Sequence, residues 1–270
     1  MTDSNWTTAD IDRSLDLRKT VTDMNGRIER LRALGARSVA QWSAVRTPYG
    51  LSAAEWILEA ESESASPQDP VTVFIHGGYW RAYGADDFFF VLDPWREAGQ
   101  TVASINYALC PDVTLTEIVG QILAALAEIA ERRPQSPIRL LGHSAGAHLA
   151  MMACCPDPWR TIGRTRTPIL EAVLISGLYD LDPVQRSFLQ DVVRLTDIEV
   201  ERLGPLGLDP DSAVRYRVIH GSNETELFRG QSRALVRHLQ RRGCTATLHE
   251  IPGVDHFSVL DPDLTKGVHL

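Results

Sequence analysis

The chain has 270 residues, 44% of them hydrophobic and 23% charged, which is typical of a globular protein and permits one large α/β domain. Lys and Arg total 27 and Asp and Glu total 35, so the net charge is −8, and we expect no nucleic-acid and no membrane partner. The four cysteines and eight histidines lack the spacing of a zinc site, so we expect no metal and no other cofactor.

Neither a membrane span nor a targeting segment is visible in the sequence. The longest apolar helical stretch, residues 118–130, is interrupted by Gly120, Gln121 and Glu128, which predicts an amphipathic core helix. Residues 1–10 show no basic segment followed by an apolar run, so no secretory signal is expected. The cysteines, two of them adjacent, are expected to be buried, reduced thiols. We therefore predict a cytoplasmic protein, and a homodimer stays open.

The first 45 residues carry apolar side chains at helical spacing, which predicts a helical N-terminal arm lying on the main domain, residues 46–270. In the main domain, apolar strand-like runs alternate with amphipathic helical runs such as Thr116–Arg132 and Glu224–Arg242. This alternation predicts a mostly parallel central sheet with helices on both faces. The predicted strands are Ala53–Glu59, Val71–His76, Thr101–Tyr107, Ile138–Leu141, Ala172–Ser176, Tyr216–His220 and Ala246–Ile251.

An insertion at about residues 182–211 interrupts this alternation with short helices, one of which Thr196 is expected to cap. Because it follows a strand on the side where the carboxyl ends of the strands lie, we expect a small helical cap over a pocket. A purely structural insertion stays open as the alternative.

A glycine pair follows the predicted strand Val71–His76, and it is followed in turn by Tyr79 and Trp80. Two glycines after a buried strand let the backbone turn its amides toward a developing oxyanion. We predict that the N–H groups of Gly78 and Tyr79, with that of Ala145, form an oxyanion hole. Taken alone, this segment would more often be a simple turn.

The segment Gly142-His143-Ser144-Ala145-Gly146 lies between the apolar run 138–141 and the helical run 147–153. A serine on a sharp strand-to-helix turn needs small neighbours, and the helix that follows directs free N–H groups at the reaction site. The bare pattern arises by chance in roughly one chain in ten of this size. Its position between a strand and a helix predicts that Ser144 is a nucleophile.

The general base is predicted from chain order, which in such a site is serine, then acid, then histidine. His256 follows the last predicted strand through a short loop, where an imidazole can reach the serine, so we predict that it is the base. The competing histidines that we pass over are His76, His143, His148, His249 and His269.

The acid is predicted on the loop after the strand Tyr216–His220, where Glu224 is the suitable carboxylate. Glu226 is close by, and a first-turn helix glutamate is the structural alternative for this position. Asp180, after the preceding strand, is the alternative acid. Asp255 is adjacent to His256 and is predicted to be a loop residue, because neighbouring side chains on an extended segment diverge.

Together these segments resemble the α/β-hydrolase fold, and more narrowly its arylformamidase (kynurenine formamidase-like) branch. The combination of several motifs is far more specific than the serine segment alone. The matching stretches, within about residues 70–260, are His76–Trp80, Asn106–Pro111 with Val113–Leu115, Gly142–Leu149, Ser176–Leu181, and Glu224 with Phe228–Ser232.

The resemblance implies a serine hydrolase that cleaves N-formyl anilides or small esters, with Ser144, Glu224 and His256 at the triad positions. Two positions depart from the family pattern. Glu224 stands where the eukaryotic members typically carry aspartate, and Leu227 stands where the pattern usually has glutamate. Either departure is compatible with a substrate other than N-formylkynurenine. The N-terminal arm matches only loosely and is assigned no part in specificity.

We therefore predict acyl transfer to Ser144 from a small-molecule acyl substrate, followed by hydrolysis of the acyl-enzyme. Trp80, His76 and His143 are the predicted pocket residues. The bulky pair Tyr79 and Trp80 predicts a short acyl site, unless both rings pack against the sheet. The alternatives are a carboxylesterase, a carbamate or amide hydrolase, and a slow-turnover binding protein or receptor on the same fold.

Overall fold

An eight-stranded sheet forms the centre of the protein, which we describe from a computed structural model over residues 6–164 and 167–264. The strands are β1 (Val45–Pro48), β2 (Trp56–Ala60), β3 (Val71–Ile75), β4 (Val102–Ile105), β5 (Ile138–His143), β6 (Ile169–Ile175), β7 (Arg215–Gly221) and β8 (Thr245–Ile251). Their order in the sheet is β1-β2-β4-β3-β5-β6-β7-β8. The pairings of β2 with β1 and β4 are antiparallel and all the others are parallel, so the sheet is mostly parallel, as predicted.

The central strands are buried on both faces. Every side chain of β3 and of β4 is buried, although successive side chains of a strand point to opposite faces. Such continuous burial is the mark of a parallel sheet that is covered on both sides. The carboxyl ends of β5, β6 and β7 therefore meet at one edge, where loops can bring distant residues together.

The sequence analysis missed β1, which lies at the edge of the sheet and pairs only with β2. Its four residues are mostly exposed and include Pro48, so neither hydrophobic alternation nor strand propensity signals it. An edge strand tolerates proline because one side of its backbone needs no partner strand. The seven predicted strands all overlap observed ones, with ends that differ by a few residues.

Helices surround the sheet, and two long ones match the predicted helices closely. The first, α5 (Leu115–Arg132), begins after a capping box in which Thr114 and Glu117 satisfy each other's backbone N–H groups. The second, α11 (Glu226–Arg241), packs against β7 and β8. Within the described residues the helices of the main domain are α4 (Asp93–Glu97), α5 (Leu115–Arg132), α6 (Ala145–Ala153), α7 (Pro156–Arg160), α8 (Asp182–Gln185), α9 (Gln190–Val193), α10 (Asp197–Leu203) and α11 (Glu226–Arg241).

The N-terminal arm consists of α1 (Thr8–Leu15), α2 (Leu17–Thr20) and α3 (Met24–Gln41). Ile11, Leu15 and Leu31 are fully buried and belong to the same hydrophobic cluster as the sheet. The arm is also held by polar contacts to distant parts of the chain, for example between Arg30 and Asp261 at 3.1 Å. It is thus packed as part of the main core.

The inserted segment after β6 contains α8, α9 and α10, with Thr196 capping α10 through a capping box as predicted. Glu199 of that box also accepts hydrogen bonds from the backbone N–H and hydroxyl of Thr116, which fastens α10 to the start of α5. Between α8 and α9 lie Phe188 and Leu189, which line a pocket at the carboxyl edge of the sheet.

Over the described residues, no helix is long and apolar enough to cross a membrane. The four cysteines are all buried as free thiols, as expected. His269, one of the histidines passed over as a base, lies outside the described residues.

Candidate active site

The predicted nucleophile lies on a sharp turn between β5 and α6. Ser144 has φ 56° and ψ −123°, a left-handed conformation that lifts its side chain out of the strand. The turn requires glycine on both sides. A Cβ atom at Gly142 would collide with the backbone of Gly146, and one at Gly146 would collide with the carbonyl oxygen of Ile75. The sequence therefore permits a serine to project at the carboxyl edge of the sheet.

The predicted base and acid continue from this serine in one chain of hydrogen bonds. His256 Nε2 lies 3.0 Å from Ser144 Oγ, and its Nδ1 lies 2.9 Å from Glu224 Oε2. A carboxylate only accepts hydrogen bonds, so Nδ1 carries the proton and Nε2 is free to accept the hydroxyl proton of the serine. All three side chains are buried, with at most 6% of each residue exposed. The structure thus brings the three predicted residues together.

The alternative acid does not lie at the histidine. Asp180 follows β6, and one of its carboxylate oxygens accepts the backbone N–H of Asp182 at 3.2 Å. Glu226 is half exposed and forms ion pairs with Arg229 and Arg233. Of the candidates considered, Glu224 is therefore the carboxylate that contacts the base.

Two groups that the sequence analysis missed hold the other oxygen of Glu224. The Gly221 N–H donates to Oε1 at 2.7 Å, and the hydroxyl of Ser176 donates to the same atom at 2.6 Å. Ser176 belongs to a family-like segment, yet no local pattern in the sequence distinguishes its hydroxyl from that of any other serine. Its partner is 48 residues away in the chain and becomes adjacent only because β6 and β7 are neighbours.

Asp255 is a loop residue, as predicted. Its Oδ1 accepts the backbone N–H groups of Phe257 and Ser258 at 3.2 and 2.9 Å, which shapes the turn that carries His256. Its carboxylate also lies 3.6 Å from the guanidinium of Arg27 in α3. The loop that carries His256 is therefore held by hydrogen bonds within the loop and by an ion pair to the N-terminal arm.

The predicted oxyanion segment runs past the nucleophile with an unusual backbone. Gly78 has φ +107°, and Tyr79 and Trp80 follow with φ 51° and 56°. The N–H groups of Gly78 and Tyr79 donate to no other residue in the described part of the chain. The N–H of Ala145, first residue of α6, has no acceptor within its own helix. None of the three predicted donors is therefore used by another protein group among the described residues.

Gly77 is a further residue at this place, to which the sequence analysis assigned no role of its own. A Cβ atom there would lie 2.9 Å from Ser144 Cβ, so only glycine allows the segment to approach the nucleophile this closely. Its N–H is a fourth candidate donor. The glycine pair in the sequence could have indicated this donor, but only its second member, Gly78, was predicted to donate an N–H group to the oxyanion.

His143 lines the pocket, and its ring has a defined task there. Its Nε2 lies 2.8 Å from the carbonyl oxygen of His256, so this nitrogen carries the proton and donates it. Burial holds the pKa of His143 well below its usual value, with the charge of nearby His256 acting in the same direction. His143 therefore stays neutral and fixes the backbone of the base.

Trp80 and His76 do not line the pocket, which corrects two of the three predicted pocket residues. Trp80 is fully buried and makes an edge-to-face contact with His148, with ring centres 5.1 Å apart. His76 is fully buried and stacks on Tyr107 at 4.3 Å. The three successive positive φ angles redirect the chain, so Tyr79 faces the pocket and Trp80 faces the core.

A cavity of about 150 Å³ lies directly beside the triad. Its wall includes Ser144 and His256, the segment Gly77–Tyr79, and aromatic residues from three separate regions. Phe188 and Leu189 of the inserted segment close one side, so that segment does border the catalytic edge. The aromatic side chains of the wall are Tyr79, Tyr83, Phe88, Phe188 and Phe257.

The N-terminal arm supplies a further part of the wall, although the sequence analysis assigned it no part in specificity. The contributing residues are Leu15, Asp16, Leu17, Arg18 and Met24. The break between α1 and α2 is also fastened to the site. The hydroxyl of Tyr79 donates to the Leu15 carbonyl at 2.8 Å, and the hydroxyl of Thr225, next to Glu224, lies 3.2 Å from the Ser14 carbonyl. The arm is thus a structural part of the pocket.

Metal ligands do not cluster at this site. Within residues 6–164 and 167–264, no group of three or more His, Cys, Asp or Glu side chains could hold a metal ion. The arrangement provides a polarised hydroxyl, a base with a fixed tautomer, and several backbone donors. These groups can together transfer an acyl group from a carbonyl substrate to Ser144.

Comparison with known proteins supports both the fold and the class of reaction. A family profile described as alpha/beta hydrolase fold matches residues 72–260. The kynurenine formamidase of Danio rerio is 29% identical over 232 residues, covering 84% of this chain and 78% of the relative. That of Drosophila melanogaster is 26% identical over 211 residues, covering 74% and 70%.

Solved structures show the same fold. A protein from Silicibacter sp. TM1040 superposes with a TM-score of 0.83 at 24% identity, covering 96% of each chain. Esterase B from Lactobacillus rhamnosis superposes with a TM-score of 0.66 at 19% identity, covering 88% of this chain and 89% of the other. The fold expected from the sequence is thus confirmed, and the chain belongs to the α/β-hydrolase family as a hydrolase.

Proposed function

We propose that the protein is a serine hydrolase that cleaves a small N-formyl anilide, an amide or a short-chain ester through an acyl-enzyme. The unbroken hydrogen-bond chain from Ser144 through His256 to Glu224 is the observation that carries this proposal. A histidine that lies 3.0 Å from a serine hydroxyl and 2.9 Å from a buried carboxylate is the arrangement that activates a serine as a nucleophile.

The reaction follows from the geometry in two halves. His256 Nε2 takes the hydroxyl proton of Ser144 as Ser144 Oγ bonds to the carbonyl carbon of the substrate. The electron pair of the C=O double bond moves onto the carbonyl oxygen of the substrate. The imidazolium, stabilised by Glu224, then protonates the departing amine or alcohol as its bond to carbon breaks. Water, deprotonated by the same histidine, attacks the acyl-enzyme and releases the carboxylic acid and the free serine.

Backbone N–H groups stabilise the negative charge that develops on the oxygen. Gly78, Tyr79 and Ala145 supply the donors of this proposal, with Gly77 beside them. Each such donor contributes roughly 10²–10³-fold to the rate in related chemistry. Because these donors belong to the backbone, they need no reorganisation when charge develops, which is why the strained segment before the nucleophile is useful.

The size of the pocket favours a small substrate. A cavity of about 150 Å³ has the volume of an engineered cavity that holds one benzene ring. Five aromatic side chains in its wall suit an aryl group, and little volume then remains for the acyl side. The short acyl site that the sequence predicts from Tyr79 and Trp80 therefore rests on the pocket volume and on Tyr79 alone.

Among the possible acyl groups, formyl is favoured by the relatives. The kynurenine formamidases share 26–29% identity with this chain over most of its length, and their name supports cleavage of an aryl formamide. The Glu224 and Leu227 departures from the family pattern leave the leaving group open. A carboxylesterase or a carbamate hydrolase would use the same residues. The kinetics on a formamide, a carbamate and an ester distinguish these three activities.

The test compares N-formylkynurenine, a p-nitrophenyl carbamate and p-nitrophenyl esters of increasing acyl length. We expect kcat/KM to be highest for formyl or acetyl groups and to fall steeply toward decanoate, because little of the 150 Å³ cavity is left for the acyl group once the aryl group is bound. The Ser144→Ala variant should lose about 10⁶-fold in kcat. Equal activity on decanoate would contradict the short acyl site, and full activity of Ser144→Ala would contradict the mechanism.

The same preparation separates an enzyme from a binding protein. A fluorophosphonate probe should label Ser144 in the wild-type protein and not in Ser144→Ala. Labelling accompanied by rapid turnover of p-nitrophenyl acetate supports the enzyme. Labelling without turnover of any ester or amide would identify a receptor that retains the triad, and the proposed function would be wrong.

A further inference from the structure

Ser176 is a second buried serine at the catalytic edge, one strand away from the nucleophile. It directly follows β6, as Ser144 directly follows β5, and these two strands are neighbours in the sheet. Ser176 is fully buried, and its backbone N–H donates to the carbonyl of Ile219 in β7 at 2.8 Å. The residue is therefore held between two strands, with its side chain directed at the acid.

The backbone of Ser176 adopts a left-handed conformation that a serine rarely occupies. Its φ angle is +53°, close to the +56° of Ser144. A non-glycine residue in this conformation is strained, because its Cβ atom crowds the backbone. Glycine would adopt this conformation without strain, yet the glycine of this segment stands at position 177 and a serine stands at 176. A strained serine at a position suited to glycine indicates that the side chain itself has a use.

That use is visible in the hydrogen bond to the acid. The Ser176 hydroxyl donates to Glu224 Oε1 at 2.6 Å, a short distance expected of a bond between a hydroxyl and a carboxylate. The Gly221 N–H donates to the same oxygen at 2.7 Å. With Oε1 held from two directions, the plane of the carboxylate is set, and Oε2 is left to face His256 Nδ1 at 2.9 Å.

A glutamate needs this support more than an aspartate does. Its side chain has one additional rotatable bond, so more rotamers must be excluded before its carboxylate is aligned with the imidazole. The site is also buried, which makes a poorly oriented carboxylate costly to retain. A donor built into the end of the neighbouring strand achieves the alignment without any movement during the reaction.

We infer that Ser176 is a positioning residue, whose hydroxyl aligns the carboxylate of Glu224 with His256. The inference rests on the proposed function and extends it to a fourth side chain behind the triad. Ser176 does not touch the substrate or the reacting atoms. Its effect on the rate passes entirely through Glu224 and the orientation of the base.

Two variants separate the hydroxyl from the backbone strain. Ser176→Ala removes the hydroxyl and keeps the strained conformation, whereas Ser176→Gly removes the hydroxyl and relieves the strain. Each should lower kcat by about 10- to 100-fold with KM changed less than two-fold, since a charge-assisted hydrogen bond is lost and substrate contacts remain. Urea denaturation of both variants checks that each is fully folded under the assay conditions, so that lost activity is not caused by unfolding.

Ser104 provides the matched control. It is also a fully buried serine, in β4, and its hydroxyl has no hydrogen-bond partner among the described residues. Ser104→Ala should therefore retain kcat within two-fold. If both Ser176 variants also retain the wild-type kcat, while Glu224→Ala is impaired, the positioning role is wrong and the proposed triad stands.

A double-mutant cycle tests the route of the effect. In the Glu224→Ala background, removing the Ser176 hydroxyl should change kcat by less than two-fold, because no carboxylate is left to align. Fully additive losses would show that Ser176 acts on something else and would overturn the inference. Full activity of Glu224→Ala would instead contradict the proposed triad, so failure of the inference and failure of the proposed function give different results.

Discussion

Four non-glycine residues in and around the candidate active site have left-handed backbone conformations. Tyr79 and Trp80 in the oxyanion segment, Ser144 at the end of β5 and Ser176 at the end of β6 all have φ between 51° and 56°. Each costs on the order of 1–3 kcal/mol, and such residues persist only where the surrounding packing enforces them. The strain at this edge lets side chains and N–H groups point where a regular strand or helix would not direct them.

At this scale, the length of the acid is a testable feature. Glu224 reaches from its backbone position to both Ser176 and His256, and aspartate is shorter by one carbon–carbon bond, about 1.5 Å. Glu224→Asp should therefore lower kcat by roughly 10- to 100-fold, equivalent to about 1.4–2.7 kcal/mol. Steady-state kinetics on p-nitrophenyl acetate measure the loss, with KM expected to stay within two-fold.

Glu226→Asp is the matched control, because Glu226 is two residues away and half exposed. It should leave kcat unchanged. If Glu224→Asp keeps the full rate, the backbone has moved to bring the shorter side chain within reach of His256. The difference between this glutamate and the aspartate of the eukaryotic family members would then carry no geometric meaning.

Among the secondary-structure elements, α3 of the N-terminal arm packs closely against the main domain. Gly35 of α3 lies against the backbone carbonyls of Asp86 and Asp87, and a Cβ atom at this position would collide with both. The turn that it contacts leads directly to Phe88, which forms part of the pocket wall. The packing of α3 is thus transmitted to the shape of the substrate site.

Opposite effects are expected when alanine replaces two helical glycines. Gly35→Ala should lower the free energy of unfolding by about 1–3 kcal/mol, because α3 must move away from the backbone that it contacts. Gly120→Ala in α5 should raise it by about 0.5–1 kcal/mol, since a Cβ atom at that position meets nothing within 4 Å and alanine is the better helix former. Urea denaturation measures both, and a Gly35→Ala variant as stable as the wild type would contradict the close packing.

For the molecule as a whole, buried neutral histidines link stability to pH. Burial lowers the pKa of His76 and of His148 from 6.5 to about 4. The unfolded chain therefore takes up protons on these side chains near pH 6.5, and the folded chain does so only near pH 4. Their contribution to stability is complete above about pH 6.5 and is lost as the pH falls through this window.

We expect each of these two histidines to remove about 2 kcal/mol from the free energy of unfolding between pH 7.5 and pH 5. Urea denaturation at the two pH values measures the total loss. His148→Gln should reduce that loss, because an amide can still donate to the Leu203 carbonyl, 2.7 Å from the ring nitrogen, and does not titrate. A stability that is equal at both pH values would contradict the assignment of neutral, buried imidazoles.

Much of the fold and part of the site could be predicted because their signals are local. Apolar runs indicated the parallel strands, the small residues around Ser144 indicated the turn, and the position of His256 after the last strand indicated the base. Signals of the same kind were missing for β1, which is short, exposed and contains proline. They were misleading for Trp80, because three successive positive φ angles from Gly78 onward turn its side chain into the core, and for His76, whose buried ring stacks on Tyr107.

The sequence by itself determined most of the elements, their order along the chain and the chemical types of the residues at the candidate site, because these depend on burial patterns and on neighbours in the chain. Only the tertiary structure decided which residues meet. The adjacency of β6 and β7 brings Ser176 to Glu224, and Glu224 rather than Asp180 to His256. The packing of the arm makes residues 15–18 a wall of the pocket. These contacts join residues far apart in the chain, and their partners are chosen by the order of strands in the sheet and by close packing, which no local pattern encodes.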